Sequence, residues 1–476
     1  MAAQGRELDN LRAIARPGQD GVPAAPSFST ALARDLQQLR LMSPTLDLRA
    51  LKDVPVSAAR SKLRFNIGFL PKSLLEPRIV IVLLLILGFG AAIRIWTTRT
   101  YTREGQDEHL YGIYVNTIDT TGGITHYRKL IAMNRQVQEG YSQAFVPATR
   151  IGFIWPAYAC FKVFNVSPIQ SLRILSCASG ILLLLLAARI GWHAGGKMGM
   201  LGLTALMSTA PLHVYLAQRA LIDIYFAFWA VLTLWLLWKN LQNKKHWGWL
   251  SAYGASLAIL VLTKESAAFV FCALLGVLLF SRPLKLGQSS IELVGLTFLA
   301  PAVAVAILCL LMGGPSEFLS FFRLLAARNE VSDYAVATQD GPWYRYLIDF
   351  TLISPLTLIL AIGAIFQLRS AGRFTAFMAI FLGLSFVVMS YVPFGVSLRF
   401  ATYWDVPLRW LALTQAILLS QGLRKIRPAI ALACLLCLIC ASDLWQYNVY
   451  FVKAKLYDPI TTNLVYAAGL TKKMPK

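Results

Sequence analysis

Eleven apolar runs set the terms for everything else in this chain. They begin with Arg78–Trp96 and recur near 170–190, 198–217, 221–238, 248–262, 267–281, 290–312, 347–367, 374–391, 408–421 and 428–446. A transmembrane helix needs about 20 predominantly apolar residues, and most of these runs approach that length. With 57% hydrophobic and only 14% charged residues among 476, the chain has too little polar covering for a soluble globule. The expected fold class is an all-α polytopic membrane protein of about 11 transmembrane helices.

A formal charge of +22 would suit a nucleic-acid binder, but in a membrane chain Lys and Arg first serve orientation. The connectors around Lys197, 239–245, 282–285, 369–373 and 424–427 carry 11 Lys/Arg and no Asp/Glu. The opposite connectors and their rims hold Glu104, Asp107, Glu108, Asp119, Glu139, Asp223, Glu265, Glu317, Glu330, Asp333, Asp340 and Asp405. Positive connectors mark the cytoplasmic side, so the acidic side is external and no nucleic-acid partner is expected. The expected organisation is a basic cytoplasmic tail over 1–75, a first span over 76–98, and an external loop over 99–168. A membrane core over 169–446 and an external tail over 447–476 complete it. The tail over 1–75 has 11 Lys/Arg against 6 Asp/Glu and no early apolar core, so no cleavable signal peptide is expected. It is either disordered or forms short surface helices around Leu39–Leu48 and Val54–Ala59. Cys160, Cys177, Cys272, Cys309, Cys434, Cys437 and Cys440 all sit in apolar runs, where free cysteine behaves as a packing residue.

The external loop carries adjacent carboxylates in Arg103-Glu104-Gly105-Gln106-Asp107-Glu108-His109. The stretch 107–120 then places Leu110, Tyr111, Tyr114, Val115 and Ile118 on one helical face, as for a helix lying on the bilayer. Ile151–Phe164 is too short to span, contains Pro156, and reads as a second interfacial helix. The expected topology brings Asp107/Glu108, Asp223, Lys264/Glu265 and Arg399 to the same membrane face. Ionisable groups at membrane depth are costly and usually face a polar cavity, so one external cavity is implied. Each feature also has a structural reading. Asp107 suits a helix cap, Asp223 suits an i, i+4 pair with Arg219, and Lys264 suits a partner in Glu265 or a snorkelling position. Against the last, Thr-Lys-Glu-Ser joins two apolar runs with almost no loop, which holds a phosphate-binding cation close to the membrane surface.

The order Asp107-Glu108, Arg150 before Trp155-Pro156, Arg173-Ile174-Leu175-Ser176, Leu221-Ile222-Asp223, Leu262-Thr263-Lys264-Glu265, Gly341-Pro342-Trp343-Tyr344 and Leu398-Arg399-Phe400 resembles the GT-C glycosyltransferases. The similarity is greatest to the branch of the lipid A aminoarabinose transferases and protein O-mannosyltransferases, over 76 to about 422. It implies a GT-C fold, a polyprenyl-phosphate-linked sugar donor, and inverting transfer to a glycolipid, polysaccharide or protein acceptor. By the same resemblance Asp107 orients or deprotonates the acceptor, Glu108 shapes the site and Asp223 is the second acidic residue at the cavity. Lys264 and Arg150 hold the donor phosphate, and Arg399 is a further phosphate contact. The large C-terminal external domain of some relatives is not expected here.

No metal or other cofactor is expected, since Asp107, Glu108 and His109 are adjacent on a helix and point in different directions. The loop 312–346, with Phe318, Phe321, Phe322 and Trp343 among charges, reads either as a lid or as an amphipathic surface helix. The alternative function is a transporter or lipid flippase, although the internal repeats common in carriers are not evident. The pattern suits a bacterial inner membrane, with the endoplasmic reticulum as the alternative.

Overall fold

The computed structural model describes residues 76–96, 104–120, 122–123, 126–140, 146–243, 246–331, 341–392, 396–423 and 425–457. The surface helices expected around Leu39–Leu48 and Val54–Ala59, and Asp333 and Asp340 of the lid stretch, lie outside what is described. All regular structure among the described residues is helical. The order is α1 (Pro77–Ile95), α2 (Gln106–Thr120), α3 (Tyr127–Gly140), α4 (Ile151–Phe164), α5 (Pro168–Ser208), α6 (Pro211–Ala217) and α7 (Asp223–Gln242). It continues with α8 (Trp247–Thr263), α9 (Ala267–Ser281), α10 (Ile291–Met312), α11 (Pro315–Val331), α12 (Arg345–Ile353), α13 (Pro355–Phe366) and α14 (Arg373–Ser390). A 3-10 turn (Thr402–Trp404), α15 (Asp405–Gly422), α16 (Pro428–Tyr447) and a π-helical turn (Asn448–Lys453) complete it.

Among the described residues, six helices are long and apolar enough to cross a membrane: α1, α5, α7, α10, α14 and α16 with its π-helical extension. Of the other expected spans, 408–421 falls on α15, which is as long as α14 but more polar, and the rest fall on shorter or broken helices, with glycine and proline explaining the breaks. α5 leaves helical geometry at Gly195 and at Gly196, whose φ of +59° only glycine adopts readily. That break lies where the connector at Lys197 is expected. The expected span 198–217 is cut at Ala210-Pro211, and 347–367 is cut at Ser354-Pro355. Proline lacks an amide proton and disfavours helical geometry in the residue before it. The carbonyls freed at the first cut are met by a buried cation: Arg94 of α1 donates to Met207 and Ser208 oxygens at 2.8 and 3.1 Å. At the second, Arg409 donates to the Ser354 hydroxyl at 3.2 Å while pairing with Asp443 at 2.6 Å. Arg409 also approaches Asp405 at 3.5 Å.

Helices form where the sequence implies, over 106–120 and 151–164, with α3 between them. The face of α2 carrying Tyr111, Tyr114, Val115 and Ile118 is buried. These residues share a core with Phe153 and Ile154 of α4, Leu172 of α5 and Ile222 and Tyr225 beside and in α7. α2 and α4 are thereby fixed to the first turns of α5 and α7. A larger core joins α5, α7, α8, α9, α14 and α15.

Candidate active site

The loop that carries Arg150 is held by tyrosines from the surface helices. Tyr114 donates to the Val146 carbonyl at 2.5 Å, and Tyr127 donates to the Ala148 carbonyl. Asn134 completes the anchor by donating to the Tyr114 hydroxyl at 2.7 Å. At the start of α4, Gly152 lies against the end of α8. A Cβ there would meet the Thr263 hydroxyl at 2.7 Å and the Leu262 carbonyl carbon at 2.9 Å. Absence of a side chain at 152 is what lets α4 press on the residues before Lys264-Glu265.

The charged residues then form a connected chain. Lys264 Nζ donates to Asp223 Oδ1 at 2.7 Å. Arg399 Nε donates to Asp223 Oδ2 at 3.1 Å, and its terminal nitrogen donates to Asp107 Oδ2 at 2.9 Å. The Lys264 ammonium also sits 4.1 Å from the centre of the Phe400 ring. Beside it, Arg150 donates to both oxygens of Glu265, at 2.8 Å for the nearest contact, and to the Tyr111 hydroxyl at 2.5 Å. Glu108 is fully buried: it accepts from Arg219, from the Ala220 amide at 2.8 Å and from the Gly105 amide at 2.9 Å. The last bond is a side chain reaching back to the residue before its helix, as in half of a capping box.

All six residues singled out in the sequence therefore lie in one region, but several pairings differ from those expected. Asp223 bonds Lys264 and Arg399 and not Arg219, which goes to Glu108. Lys264 does not neutralise Glu265, which goes to Arg150. Asp107 is not the cap of α2, because the helix begins at Gln106 and the Asp107 carboxylate goes to Arg399. Of the three carboxylates read as catalytic, Asp107 alone is accessible, with its side chain 33% exposed, whereas the Asp223 and Glu108 side chains are 0% exposed. Asp223 is thus the internal tie between two cations. Tyr111 and Arg219 were legible only as a packing residue and as the wrong partner. Nothing in their local sequence signals bonds to Arg150 and Glu108.

A cavity of about 320 Å³ opens beside this chain. Arg150, Lys264 and Glu265 line its polar end, while Leu262, Phe271, Pro301, Val305, Leu308, Phe318 and Phe322 form apolar walls. Phe318 and Phe322 come from α11, inside the stretch read as a lid. Asp107, Asp223 and Arg399 are not among its lining residues. Burial draws the Lys264 ammonium down to about 8, although Asp223 opposes the shift. Burial alone would also lower the Arg150 guanidinium, but Glu265 and Tyr111 more than offset it and raise it above its ordinary value.

Residues 149–315 match the family model described as dolichyl-phosphate-mannose-protein mannosyltransferase. No curated protein matches the chain. Among solved structures, the Archaeoglobus fulgidus oligosaccharyltransferase in its apo form is similar over 80% of this chain and 56% of its own, at 13% identity and a TM-score of 0.54. The fold is GT-C. Two structures of ArnT from Cupriavidus metallidurans are also similar over 83% of this GT-C chain at 15% identity. The apo form is covered over 75% of its length with a TM-score of 0.44, and the form bound to undecaprenyl phosphate over 74% with 0.43.

Among the described residues of this GT-C chain, no group of three or more His, Cys, Asp or Glu side chains could hold a metal ion. Asp107, Glu108 and His109 do not make one, because Glu108 is buried on Arg219. The two carboxylates that approach each other, Asp107 and Asp223, are bridged by the Arg399 guanidinium.

Proposed function

We propose that this chain is a membrane glycosyltransferase that moves a sugar from a polyprenyl-phosphate donor to an acceptor hydroxyl or amine, with inversion. The observation that carries this reading is a cavity with cations at one end and apolar walls along the rest, set beside an accessible carboxylate. An isoprenoid phosphate has the matching form, a charged head on an apolar chain. ArnT from Cupriavidus metallidurans binds undecaprenyl phosphate on the same type of scaffold. The acceptor is a glycolipid, a polysaccharide or a protein. From the charge asymmetry of the connectors, the site faces the external side of a bacterial inner membrane with the N-terminus in the cytoplasm.

In this reading Asp107 accepts the acceptor's proton as its oxygen or nitrogen attacks the anomeric carbon. A carboxylate can do so only within hydrogen-bond reach of that proton. Arg399 fixes one Asp107 oxygen at 2.9 Å and leaves the other for the acceptor. The bond between the anomeric carbon and the phosphate oxygen breaks, and its electron pair leaves with the phosphate. Arg150 and Lys264 answer the charge that develops there. Asp223 keeps Lys264 and Arg399 in register, and Glu108 fixes the loop before α2. Purified protein given a labelled polyprenyl-phosphate sugar and membrane acceptors should release polyprenyl phosphate and label the acceptor. Movement of the donor across vesicle membranes without turnover would instead establish the flippase reading.

A further inference from the structure

The charges of the site are already balanced without a ligand. Arg150, Lys264 and Arg399 face Asp107, Asp223 and Glu265, and every one of these cations is bonded to a carboxylate. A phosphate arriving at the polar end of the cavity therefore finds both lining cations, Arg150 and Lys264, already paired; the Lys264 ammonium keeps further N–H donors beside its bond to Asp223, but bidentate binding at the Arg150 fork requires that one of the carboxylates give way. Two of the three are poorly suited to move. Asp223 is 0% exposed on its side chain and bonded from both sides, so its departure would strand two buried cations. Asp107 does not line the cavity. Glu265 differs on each count. It lines the cavity, its side chain is 27% exposed, and among the described residues its carboxylate bonds Arg150 alone. It occupies the Nε and terminal-nitrogen edge of the guanidinium, the fork that binds carboxylate and phosphate oxygens with the same geometry. Arg150 itself would stay in place, because its third nitrogen bonds Tyr111 at 2.5 Å.

We propose that Glu265 is a resident counter-ion of Arg150, displaced by the donor phosphate and returning to the guanidinium when the lipid phosphate leaves. The inference rests on the donor reading given above. The donor is a phosphodiester with one negative charge. The transfer turns it into a phosphate monoester, whose second ionisation, with a pKa of about 6, gives nearly two charges at neutral pH. A carboxylate beside the phosphate repels the product more than the substrate. Glu265 thereby weakens donor binding somewhat, weakens product binding more, and speeds release of the spent carrier.

The test is equilibrium binding of a short polyprenyl monophosphate, farnesyl phosphate, to the purified full chain and to Glu265→Gln. Glu265→Gln should bind it about tenfold more tightly, a change of about 1.4 kcal/mol, and in turnover should show a lower KM for donor, a lower kcat and stronger product inhibition. Because the gain is assigned to Arg150, the double variant Glu265→Gln with Arg150→Gln should lose it. Glu265→Asp, which keeps the charge but draws it back by one methylene, should bind between the two and serves where the glutamine variant folds poorly. A structural role for the pair would instead make Glu265→Gln and Glu265→Asp bind as weakly as Arg150→Gln. Equal or weaker binding by both Glu265 variants, with the wild type binding, overturns the counter-ion. Failure of the folded wild type and variants to bind any farnesyl phosphate overturns the donor reading and the counter-ion together.

Discussion

Arg399 donates to Asp107 at 2.9 Å across 292 positions of sequence. The same guanidinium reaches Asp223 at 3.1 Å, so one side chain joins the interfacial layer, the start of α7 and the turn before α15. A fork with several donors can serve two carboxylates at once, whereas an ammonium is a point charge on a flexible stem. Arg399→Lys should therefore fold but lose about tenfold to a hundredfold in kcat, as Asp107 loses its fixed orientation. Turnover measured beside thermal unfolding checks this. Equal activity in Arg399→Lys would show that charge alone suffices.

Neutralising the two carboxylates should separate chemistry from stability. Asp107→Asn removes an accessible group, so activity should fall by about 10² to 10⁴ with little change in unfolding, the range expected for loss of a general base. Asp223→Asn leaves Lys264 and Arg399 without their shared buried counter-charge, and breaking such a pair costs about 3–5 kcal/mol. Thermal unfolding in detergent should fall clearly for Asp223→Asn and barely for Asp107→Asn. The reverse order would contradict the assignment of Asp107 as base and Asp223 as tie.

These contrasts also mark what was legible in the sequence. The apolar runs carry the helical class, and the alternation of connectors alone assigns Asp107, Asp223, Lys264 and Arg399 to one expected face. Both features are local, since a run of apolar residues or a basic connector carries its meaning within a few positions. The pairings were not local. Asp223 has Arg219 four positions away, the natural i, i+4 partner, but the helix starts only at Asp223 and Arg219 lies in the turn before it. That leaves Arg219 to meet Glu108 from 111 positions away, and Asp223 to meet Arg399 from 176. The breaks at Pro211 and Pro355 were visible as prolines. The carbonyls freed by the first are met by Arg94, and the Ser354 hydroxyl beside the second by Arg409, both from other helices, and that is a property of the packed bundle.

Lys264 gives a pH dependence with opposite signs for activity and stability. Its folded value of about 8 lies below its ordinary 10.5. Between these values the unfolded chain holds a proton that the folded chain has released, so stability should rise with pH across that window. The charge needed to hold the donor phosphate disappears over the same range, so activity should fall above about pH 8. Lys264→Arg keeps its charge throughout and should move the alkaline limb of the activity profile to higher pH. An unmoved limb would assign it to another group.

Gly152 offers a test of how Arg150 reaches the cavity. A methyl group at this position would lie 2.7 Å from the Thr263 hydroxyl and 2.9 Å from backbone of Leu262, neither of which is the free end of a flexible side chain. Gly152→Ala should push α4 away from the end of α8, costing about 1–3 kcal/mol as overpacking does. Because Arg150 precedes α4 and Glu265 follows α8, the same displacement should raise KM for the donor several-fold. A lower melting temperature with unchanged KM would show that the contact supports the fold without positioning Arg150.

Tyr457 lies with its ring 4.7 Å from the Arg219 guanidinium, and its carbonyl accepts from the Tyr215 hydroxyl at 2.6 Å. Arg219 in turn holds Glu108, which holds the Gly105 amide just ahead of α2, and the ring itself packs directly against Gly105, in the loop that presents Asp107. A cation over an aromatic face contributes about 0.5–2 kcal/mol, depending on how far it is desolvated. Tyr457→Ala should therefore loosen the loop and lower turnover about threefold to tenfold, within that range. Tyr457→Phe keeps both the ring and the backbone carbonyl and should retain wild-type turnover. Equal losses in the two variants would place the effect on the tyrosine hydroxyl, and no loss in either would detach this segment from the Asp107 loop.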